Sequence, residues 1–445
     1  MVKNGMNMQQ NIETRINYKL LLVIILSSLL PTLYTTTRIH FLGSLPETWG
    51  FSIAAQIAWL NIFYEVLSEG LLLPLAFIIG QVMSHPKQFA ERISVALKVI
   101  LIAYCIMTTI VCVFAEHLTV FMQQSADLIN MTVFYIRLES IAILFSSVFA
   151  FFSLVLVLNN NQKALYVLLI VKALLMVLFD SLFVSQLSVS LKLGINGVAY
   201  TNIIVNLVLG IVAIYWLKKE GLQLRGIKFS HQKWLKDWFI IGLRSGLESF
   251  VRNAAFVVMI LQLVNQVQQA GVFWVTNNFV WGWLLLPVLA LGQLIKQDAG
   301  IHQGLSVQKM NRYFVLTAVF MLLWFTSIPL WDTFIHTVMG IDDSAPIKRL
   351  ALLMIGFYIV FAFNNVIDSY FYGIGRTDLM LYQSLSVNII FYGAAYWAYK
   401  AGFFIPTLDG IAIMFGLGMT FDAIITLALY LWLRKQQIPQ FSYSS

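Results

Sequence analysis

The apolar stretch KALLMVLFDSLFV at residues 172–184 contains a single acidic side chain, Asp180. If this stretch crosses a membrane, a carboxylate near its centre costs about 2.5–3.5 kcal/mol on insertion scales. A carboxyl group in such a place can stay protonated, pair with a cation, or exchange one for the other. The residues alone leave two interpretations open: a group that loads and releases a coupling ion, and a structural hydrogen bond to a neighbouring helix.

Other ionisable residues also interrupt apolar segments, in both halves of the chain, and groups of this kind are functional candidates by default. They are Glu65, Glu69, Arg137, Glu139, Lys172, Arg244, Glu248, Arg252, Asp368 and Asp422. Arg137 and Glu139 are two residues apart and point in different directions on a helix, which favours separate structural pairings.

Two sets of these charges have helical spacing. Glu65 and Glu69 are four residues apart, where like charges repel, so they are predicted to face water, carry a proton or meet a cation. Arg244, Glu248 and Arg252 follow an i, i+4, i+8 pattern. They can form a local ion triad in which Glu248 satisfies both arginines, or leave a guanidinium for an anionic group.

Amides and aromatic rings offer a second kind of chemistry. The stretch TNNFVWGWLLLP contains Asn277, Asn278 and Trp281, and a later segment contains Tyr370. Such polar and aromatic surfaces suit amphipathic organic cations, because aromatic faces attract positive charge. The alternative is that tryptophans near the ends of apolar segments anchor them at the membrane interface.

Composition defines the elements that must position these residues. The chain has 445 residues, of which 60% are hydrophobic and only 11% charged, against about 25% charged in soluble domains. Apolar blocks of about 20 residues are long enough to cross a bilayer. The pattern predicts an all-α polytopic membrane protein with twelve transmembrane helices at residues 20–37, 52–80, 93–114, 128–157, 164–186, 195–217, 239–264, 271–295, 313–338, 350–373, 379–400 and 410–433.

The sequence argues against several classes of function. The net charge of +8 is spread over short loops rather than one patch, which argues against a nucleic-acid partner. No phosphate-binding glycine loop, metal-spaced His or Cys cluster, or nucleophile motif is present, so we expect no enzyme activity and no cofactor. Cys105 and Cys112 are seven residues apart on one predicted helix, too far apart for a disulfide.

Lys and Arg residues lie mainly in alternate loops, which predicts that both termini are cytoplasmic. The most basic loop falls between the sixth and seventh spans. It divides the chain into an N-terminal six-helix bundle (1–217), a basic cytoplasmic linker (218–238) and a C-terminal six-helix bundle (239–445). Arg38 is assigned to the loop that follows the first span. Pro31, Pro74 and Pro287 lie inside spans and predict kinks.

Three stretches resemble the multidrug and toxic compound extrusion (MATE) family, in particular its DinF-like branch. They are FDSLFVSQLSVSLKLGINGVAYTNII (179–204), GLRSGLESFVRNAAF (242–256) and NNVIDSYFYGIGRTD (364–378). The resemblance implies two bundles around a central cleft, and drug efflux in exchange for H+ or Na+. Asp180 matches the acidic residue of span five that the branch uses for cation coupling. Thr36 and Thr37 stand where the branch has an Asp in span one, and Arg252 replaces an acidic position of the NorM-type branch.

The expectation is therefore a secondary active exporter of amphipathic, cationic organic compounds in a bacterial inner membrane, working as a monomer. The residues assigned to cation coupling are Asp180, Asp368 and Glu248, with Na+ possible at Asp180. Those assigned to substrate binding are Glu65, Glu69, Asn277, Asn278, Trp281, Tyr370 and Arg252. Two alternatives stay open: a flippase for a lipid or lipid-linked glycan of the same superfamily, and a passive or non-transporting membrane protein.

Overall fold

The computed structural model describes residues 16–45, 49–83, 85–159, 161–221, 233–302 and 304–441. Within these ranges the chain is helical with short connections, and it contains no β-strand. Part of the predicted basic linker, residues 222–232, lies outside the described residues, as do both chain ends. The predicted cytoplasmic position of the termini stays a prediction.

Twelve long helical segments follow one another along the described chain. The first six are α1 (Tyr18–Gly43), α2 (Gly50–Gly80), α3 (Pro86–Phe121), α4 (Ile129–Leu158), α5 (Gln162–Phe183) and α6 (Ile195–Lys219). The other six are α7 (Trp234–Gln266), α8 (Ala270–Leu284 with Leu286–Ile301), α9 (Val307–Val338), α10 (Ala345–Gly373), α11 (377–400) and α12 (Leu408–Phe441).

Ten of the described helices are long and apolar enough to cross a membrane, and the bent pair that forms α8 raises the number to eleven. The remaining predicted span, 379–400, lies on α11, which does not reach that hydropathy. The prediction of an all-α polytopic membrane protein is confirmed. One boundary is corrected: α1 continues to Gly43, so Arg38 lies inside a helix and not in a loop.

Contacts between residues divide the chain into two compact units. The N-terminal unit comprises Tyr34–Trp274 and Met339–Asp342, and the C-terminal unit comprises Met1–Leu33, Val275–Val338 and Asp343–Ser445. Helix α1 therefore changes unit between Leu33 and Tyr34, and α7 belongs to the N-terminal unit. The predicted bundles, 1–217 and 239–445, rest on the position of the basic loop, and that division stays a prediction.

Close backbone packing explains why α7 joins the N-terminal unit. Gly242 and Gly246 form a G-x-x-x-G pattern, the small-residue spacing that lets helices approach in membranes. A Cβ atom on Gly242 would overlap the carbonyl oxygen of Gly70 in α2, and one on Gly246 would lie 3.7 Å from the Cα atom of Gly70. These glycines bring the two helices to backbone distance.

Helix α8 is bent by 54° where its two parts meet. A π-helical turn covers Val280–Leu284, and Pro287 follows it at the start of the second part. Proline lacks an N–H group and clashes with the preceding turn, which accounts for the bend. The indole Nε1 of Trp324 in α9 donates a 2.8 Å hydrogen bond to the carbonyl oxygen of Leu284 at this point. The kink predicted at Pro287 is confirmed.

Trp324→Phe is expected to lower the free energy of unfolding by about 1 kcal/mol, because it removes the hydrogen bond to Leu284 from a buried site. Titration of the purified protein with SDS in mixed micelles, followed by fluorescence, measures this change. Trp397→Phe in α11 is the matched control, since Trp397 is exposed. Equal stability of the two variants would show that the bond to Leu284 contributes nothing.

Candidate functional site

Asp180, the acidic residue of α5, forms an ion pair with Arg38 of α1. The Nε atom of Arg38 lies 2.8 Å from Asp180 Oδ2, and its second nitrogen, Nη2, lies 3.2 Å from Oδ1. Asp180 is 1% exposed, and the Arg38 side chain 14%. Both carboxylate oxygens accept from one guanidinium, the bidentate geometry that arginine favours. This pair is the interaction that compensates for the burial of Asp180.

Glu139 of α4 completes this buried group of charges. It is 1% exposed and accepts a 2.7 Å hydrogen bond from the amide Nδ2 of Asn202 in α6. The Tyr135 side chain, one turn earlier on α4, also hydrogen-bonds Glu139. Arg38 interacts electrostatically with both Glu139 and Asp180. We call Arg38, Glu139 and Asp180 the buried charge cluster.

The buried charge cluster holds two carboxyl groups and one guanidinium. Its net charge is −1 when both acids are ionised and zero when one of them holds a proton. A difference of one charge at a site this well buried changes the local electrostatic energy by several kcal/mol. The loss or gain of a single proton would therefore change the electrostatic attraction among the helices that form the cluster.

A second group of charges surrounds Arg252 of α7, and we call it the glutamate cluster. The guanidinium nitrogens of Arg252 lie 2.7 Å from an oxygen of Glu65, 3.4 Å from one of Glu69 and 3.5 Å from one of Glu248. The Arg252 side chain is 41% exposed. One arginine among three carboxylates leaves a net charge of −2 if all are ionised. The predicted repulsion between Glu65 and Glu69 is thus relieved by a cation from α7.

The sequence-predicted triad on α7 is formed only in part. Glu248 contacts Arg252, whereas Arg244 is exposed and lies on the surface of the helix. Arg252 reaches across to α2 because the glycine contact between Gly242 and Gly70 brings the two backbones together. Its partners are therefore long-range acidic residues that helical spacing on α7 does not reveal.

In the C-terminal unit, Asp368 of α10 and Asp422 of α12 share hydrogen-bond donors. The Nδ2 atom of Asn364 lies 3.0 Å from Asp368 Oδ2 and 2.9 Å from Asp422 Oδ2. The Nε2 atom of Gln383 in α11 donates a 2.7 Å hydrogen bond to Asp422 Oδ1. The sequence singled out Asp368 as a coupling residue, and the structure brings Asp422 to the same site.

An aromatic group lies along α8 and α10 of the same unit. The Trp281 ring meets Phe361 edge-on at 5.0 Å and Tyr358 at 6.3 Å. The Tyr358 hydroxyl donates a 3.3 Å hydrogen bond to Asn277. Trp281, Asn277 and Asn278 are half-buried, so part of each surface is accessible.

Tyr370 lies elsewhere in the C-terminal unit. It is 1% exposed and belongs to a hydrophobic core with Phe371 and Tyr430. The guanidinium of Arg434 lies 5.7 Å from its ring. The structure therefore does not bring Tyr370 together with Trp281 and Asn277.

Asp180, where the sequence predicts a Na+ ion, is paired with the guanidinium of Arg38. Both of its carboxylate oxygens accept from Arg38, so a metal ion there would compete with a bidentate guanidinium. Among the described residues, no group of three or more His, Cys, Asp or Glu side chains has the arrangement of a metal site. The coupling roles assigned to Asp180, Asp368 and Glu248 stay predictions.

Sequence reasoning missed Arg38 and Glu139 as members of the site. Arg38 is 142 residues from Asp180 along the chain, and it follows a run of threonines that resembles the end of a span. Glu139 lies beside Arg137, which favoured a structural interpretation. The available signal was a charge balance: a buried acid in α5 requires a cation at a similar depth.

Solved structures share the fold of this chain. No protein-family model and no curated protein matches the sequence. Among solved structures, the chain is similar to an inward-facing multidrug resistance MATE family transporter of the MOP superfamily, with a TM-score of 0.75 and 16% identity over 95% of this chain and 99% of that one.

Two further solved structures support the same fold. The eukaryotic MATE transporter AtDTX14 is similar with a TM-score of 0.67 and 13% identity, over 95% of this chain and 96% of that one. An outward-facing MATE transporter is similar with a TM-score of 0.62 and 17% identity, over 96% of each chain. The chain thus has the fold of MATE transporters, and the resemblance predicted from its motifs is confirmed at the level of the fold.

Proposed function

We propose that this protein is a secondary active exporter of amphipathic organic cations that works by alternating access and is driven by proton influx. The observation that carries the proposal is the buried charge cluster, in which Arg38 faces two carboxyl groups, Asp180 and Glu139, inside a MATE-type fold. A site with one more acid than base can take up one proton. We also propose that the protein lies in a bacterial inner membrane.

The substrate class follows from charge and aromatic surface. The glutamate cluster in the N-terminal unit has three carboxyl groups around one guanidinium and is partly exposed, since the Arg252 side chain is 41% accessible. In the C-terminal unit, the half-buried rings of Trp281 and Phe361 lie in edge contact, near the half-buried amide of Asn277. Negative charge and aromatic faces both favour organic cations over anions.

Proton coupling requires that a proton stabilises one conformation more than another, since a ligand with equal affinity for two states shifts nothing. Arg38, Glu139 and Asp180 come from α1, α4 and α5, so the balance of attraction among three helices changes when one acid is neutralised. Protonation leaves Arg38 and one carboxylate as a neutral pair. Deprotonation leaves an excess negative charge that favours a conformation open to water.

The flippase alternative needs unpaired positive charge for a pyrophosphate group. Arg252 contacts three glutamates, and Arg38 is held by Asp180. Lys172 lies 5.8 Å from the ring of Phe149, and Arg137 donates to the carbonyl oxygen of Cys112. Arg244 is exposed on α7. The partly exposed charges around Arg252 contain more acids than bases, which favours a cationic substrate, and the exporter is therefore the function we propose.

The test is transport of a fluorescent lipophilic cation by inverted vesicles under an imposed pH gradient. Glu139→Gln and Asp180→Asn are each expected to reduce gradient-driven uptake at least about tenfold, equivalent to about 1.4 kcal/mol of lost coupling. Glu220→Gln is the matched control, because Glu220 is an exposed acid at the end of α6 that hydrogen-bonds Asn161. It should leave uptake within about twofold of the wild type.

Two outcomes contradict the proposal. If wild-type vesicles accumulate no cation under any imposed gradient, the protein is not a coupled exporter of this class. If Glu139→Gln and Asp180→Asn both keep full gradient-driven uptake, coupling does not pass through the buried charge cluster.

A further inference from the structure

We propose that Arg252 of α7 is a specificity-determining residue of the exporter. Its guanidinium is a tethered cation, and its positive charge lowers the preference of the protein for substrates that carry two positive charges. The inference rests on the proposed function, because it concerns the charge of the exported cation. It goes further by assigning the selection between monovalent and divalent organic cations to one side chain. Ligand binding to the purified protein tests it without any transport step.

Arg252 lies among three carboxyl groups that come from two helices. Its guanidinium nitrogens lie 2.7 Å from an oxygen of Glu65 and 3.4 Å from one of Glu69, both on α2, and 3.5 Å from one of Glu248 on its own helix. The side chains of the two α2 glutamates are 35% and 31% exposed. A cation that approaches these carboxylates would therefore also meet the positive charge of Arg252.

Two contacts between α7 and α2 fix the backbone that carries this side chain. The indole Nε1 of Trp238 in α7 is buried and donates a 3.0 Å hydrogen bond to the carbonyl oxygen of Leu71 in α2. A Cβ atom on Gly242 would overlap the carbonyl oxygen of Gly70 in α2. These contacts hold the two helices together, so Arg252 is a fixed part of the surface that a substrate meets.

A fixed charge acts on a ligand in proportion to the charge of the ligand. One unit charge about 5 Å away changes the binding of a monovalent ligand about fourfold at the dielectric constant of water. A divalent ligand with both charges at that distance is affected by the square of this factor, about sixteenfold. Replacing Arg252 by a neutral residue would therefore favour divalent over monovalent cations by up to about fourfold.

A purely structural role is the alternative interpretation of Arg252. Removal of the arginine would then lower stability, and it would affect the binding of every ligand to the same extent, whatever its charge. The 41% exposure of the Arg252 side chain favours the role in specificity, because exposed ion pairs contribute little to stability. The dependence of the effect on ligand charge separates the two interpretations.

The experiment is equilibrium binding of ethidium and propidium to the purified full chain in an uncharged detergent at pH 8, followed by fluorescence anisotropy. The two dyes share one aromatic ring system and carry one and two positive charges. We expect Arg252→Gln to bind both dyes more tightly and to raise the ratio of propidium to ethidium affinity about two- to fourfold. Both dyes are measured on one preparation, so any unfolded fraction cancels from the ratio.

Matched variants separate the charge of Arg252 from its shape and from the overall charge of the protein. Arg252→Lys keeps the charge and should keep the affinity ratio. Arg244→Gln removes the same charge from an exposed position of α7, about 12 Å away along the helix axis. Charges at this distance are largely screened at about 0.1 M salt, where the Debye length is about 10 Å, so Arg244→Gln should leave the ratio nearly unchanged.

Glu248→Gln is the reciprocal variant, because it removes a negative charge from the same cluster. It should lower the ratio of propidium to ethidium affinity about two- to fourfold. It also keeps the inference testable if Arg252→Gln does not fold, since Glu248→Gln leaves Arg252 between the two glutamates of α2.

Three results overturn the inference. The first is a wild-type affinity ratio in Arg252→Gln or in Glu248→Gln. The second is an equal rise of the ratio in the Arg244→Gln control. The third is no saturable binding of either dye to the folded wild type. Failure of the proposed function is a different result: a ratio that responds to Arg252→Gln, in a protein that transports no cation under any imposed gradient.

Discussion

Arg38→Met is expected to lower the free energy of unfolding by about 3–5 kcal/mol, because it leaves the Asp180 carboxylate buried without its cation. Glu139, which also interacts with Arg38, loses the same partner. Two buried carboxyl groups would then lie together without the guanidinium of Arg38. SDS titration of the purified protein measures this loss of stability.

The control for this prediction removes both partners. Arg38→Met combined with Asp180→Leu deletes the ion pair without leaving a buried charge at Asp180, and replacing whole pairs by apolar residues is often neutral for stability. The double variant should therefore be more stable than Arg38→Met alone. Equal stability of Arg38→Met and the wild type would mean that Arg38 does not compensate Asp180 in the membrane protein.

The ion pair between Arg38 and Asp180 also bears on an unusual feature of α1, the absence of an acidic residue beside Arg38. The resemblance to the MATE family implies an acidic residue in span one at the place where this chain has Thr36 and Thr37, so one expected carboxylate is absent from α1. Arg38 supplies a positive charge at the same level of α1. Asp180 alone beside Arg38 would form an ion pair with no net charge. Glu139 brings a second buried carboxyl group from α4 to the same cluster.

The fold was predictable because its signal is local. Apolar blocks of sufficient length define helices wherever they occur, and Pro287 marks the bend in α8 without knowledge of its neighbours. The ends of the helices were less predictable, since α1 continues through polar residues to Gly43. Helical hydrogen bonding extends beyond the apolar segment, and hydropathy does not record it.

The site was predictable only for residues that are exceptional by themselves. An isolated acid such as Asp180 or Asp368 is conspicuous in an apolar segment, and so is the close spacing of Glu65 and Glu69. Their partners are set by tertiary contacts between distant helices. Arg38 meets Asp180 across 142 residues, and Arg252 meets Glu65 across 187. The polar amides Asn364 and Gln383 give no signal until the fold places them beside the carboxylates.

Gly242→Leu is expected to lower the free energy of unfolding by about 3 kcal/mol, the upper end of the range for overpacking. Even the first side-chain atom at this position would overlap the carbonyl oxygen of Gly70, so α7 must move away from α2. The displacement would separate Arg252 from Glu65 and Glu69 and leave the glutamates to repel each other. The free energy of unfolding, measured by SDS titration, and the rate of cation transport by the same preparation should therefore both be lower than in the wild type.

Gly210→Ala is the matched control for Gly242→Leu. Gly210 lies in α6 of the same unit, and a Cβ atom there meets nothing within 4 Å. Because alanine is the better helix former by about 0.5–1 kcal/mol, this variant should be as stable as the wild type or slightly more stable. If Gly242→Leu retains both stability and transport, the close approach of α7 to α2 is not what holds Arg252 among its three glutamates, and the glutamate cluster must depend on the ion pairs alone.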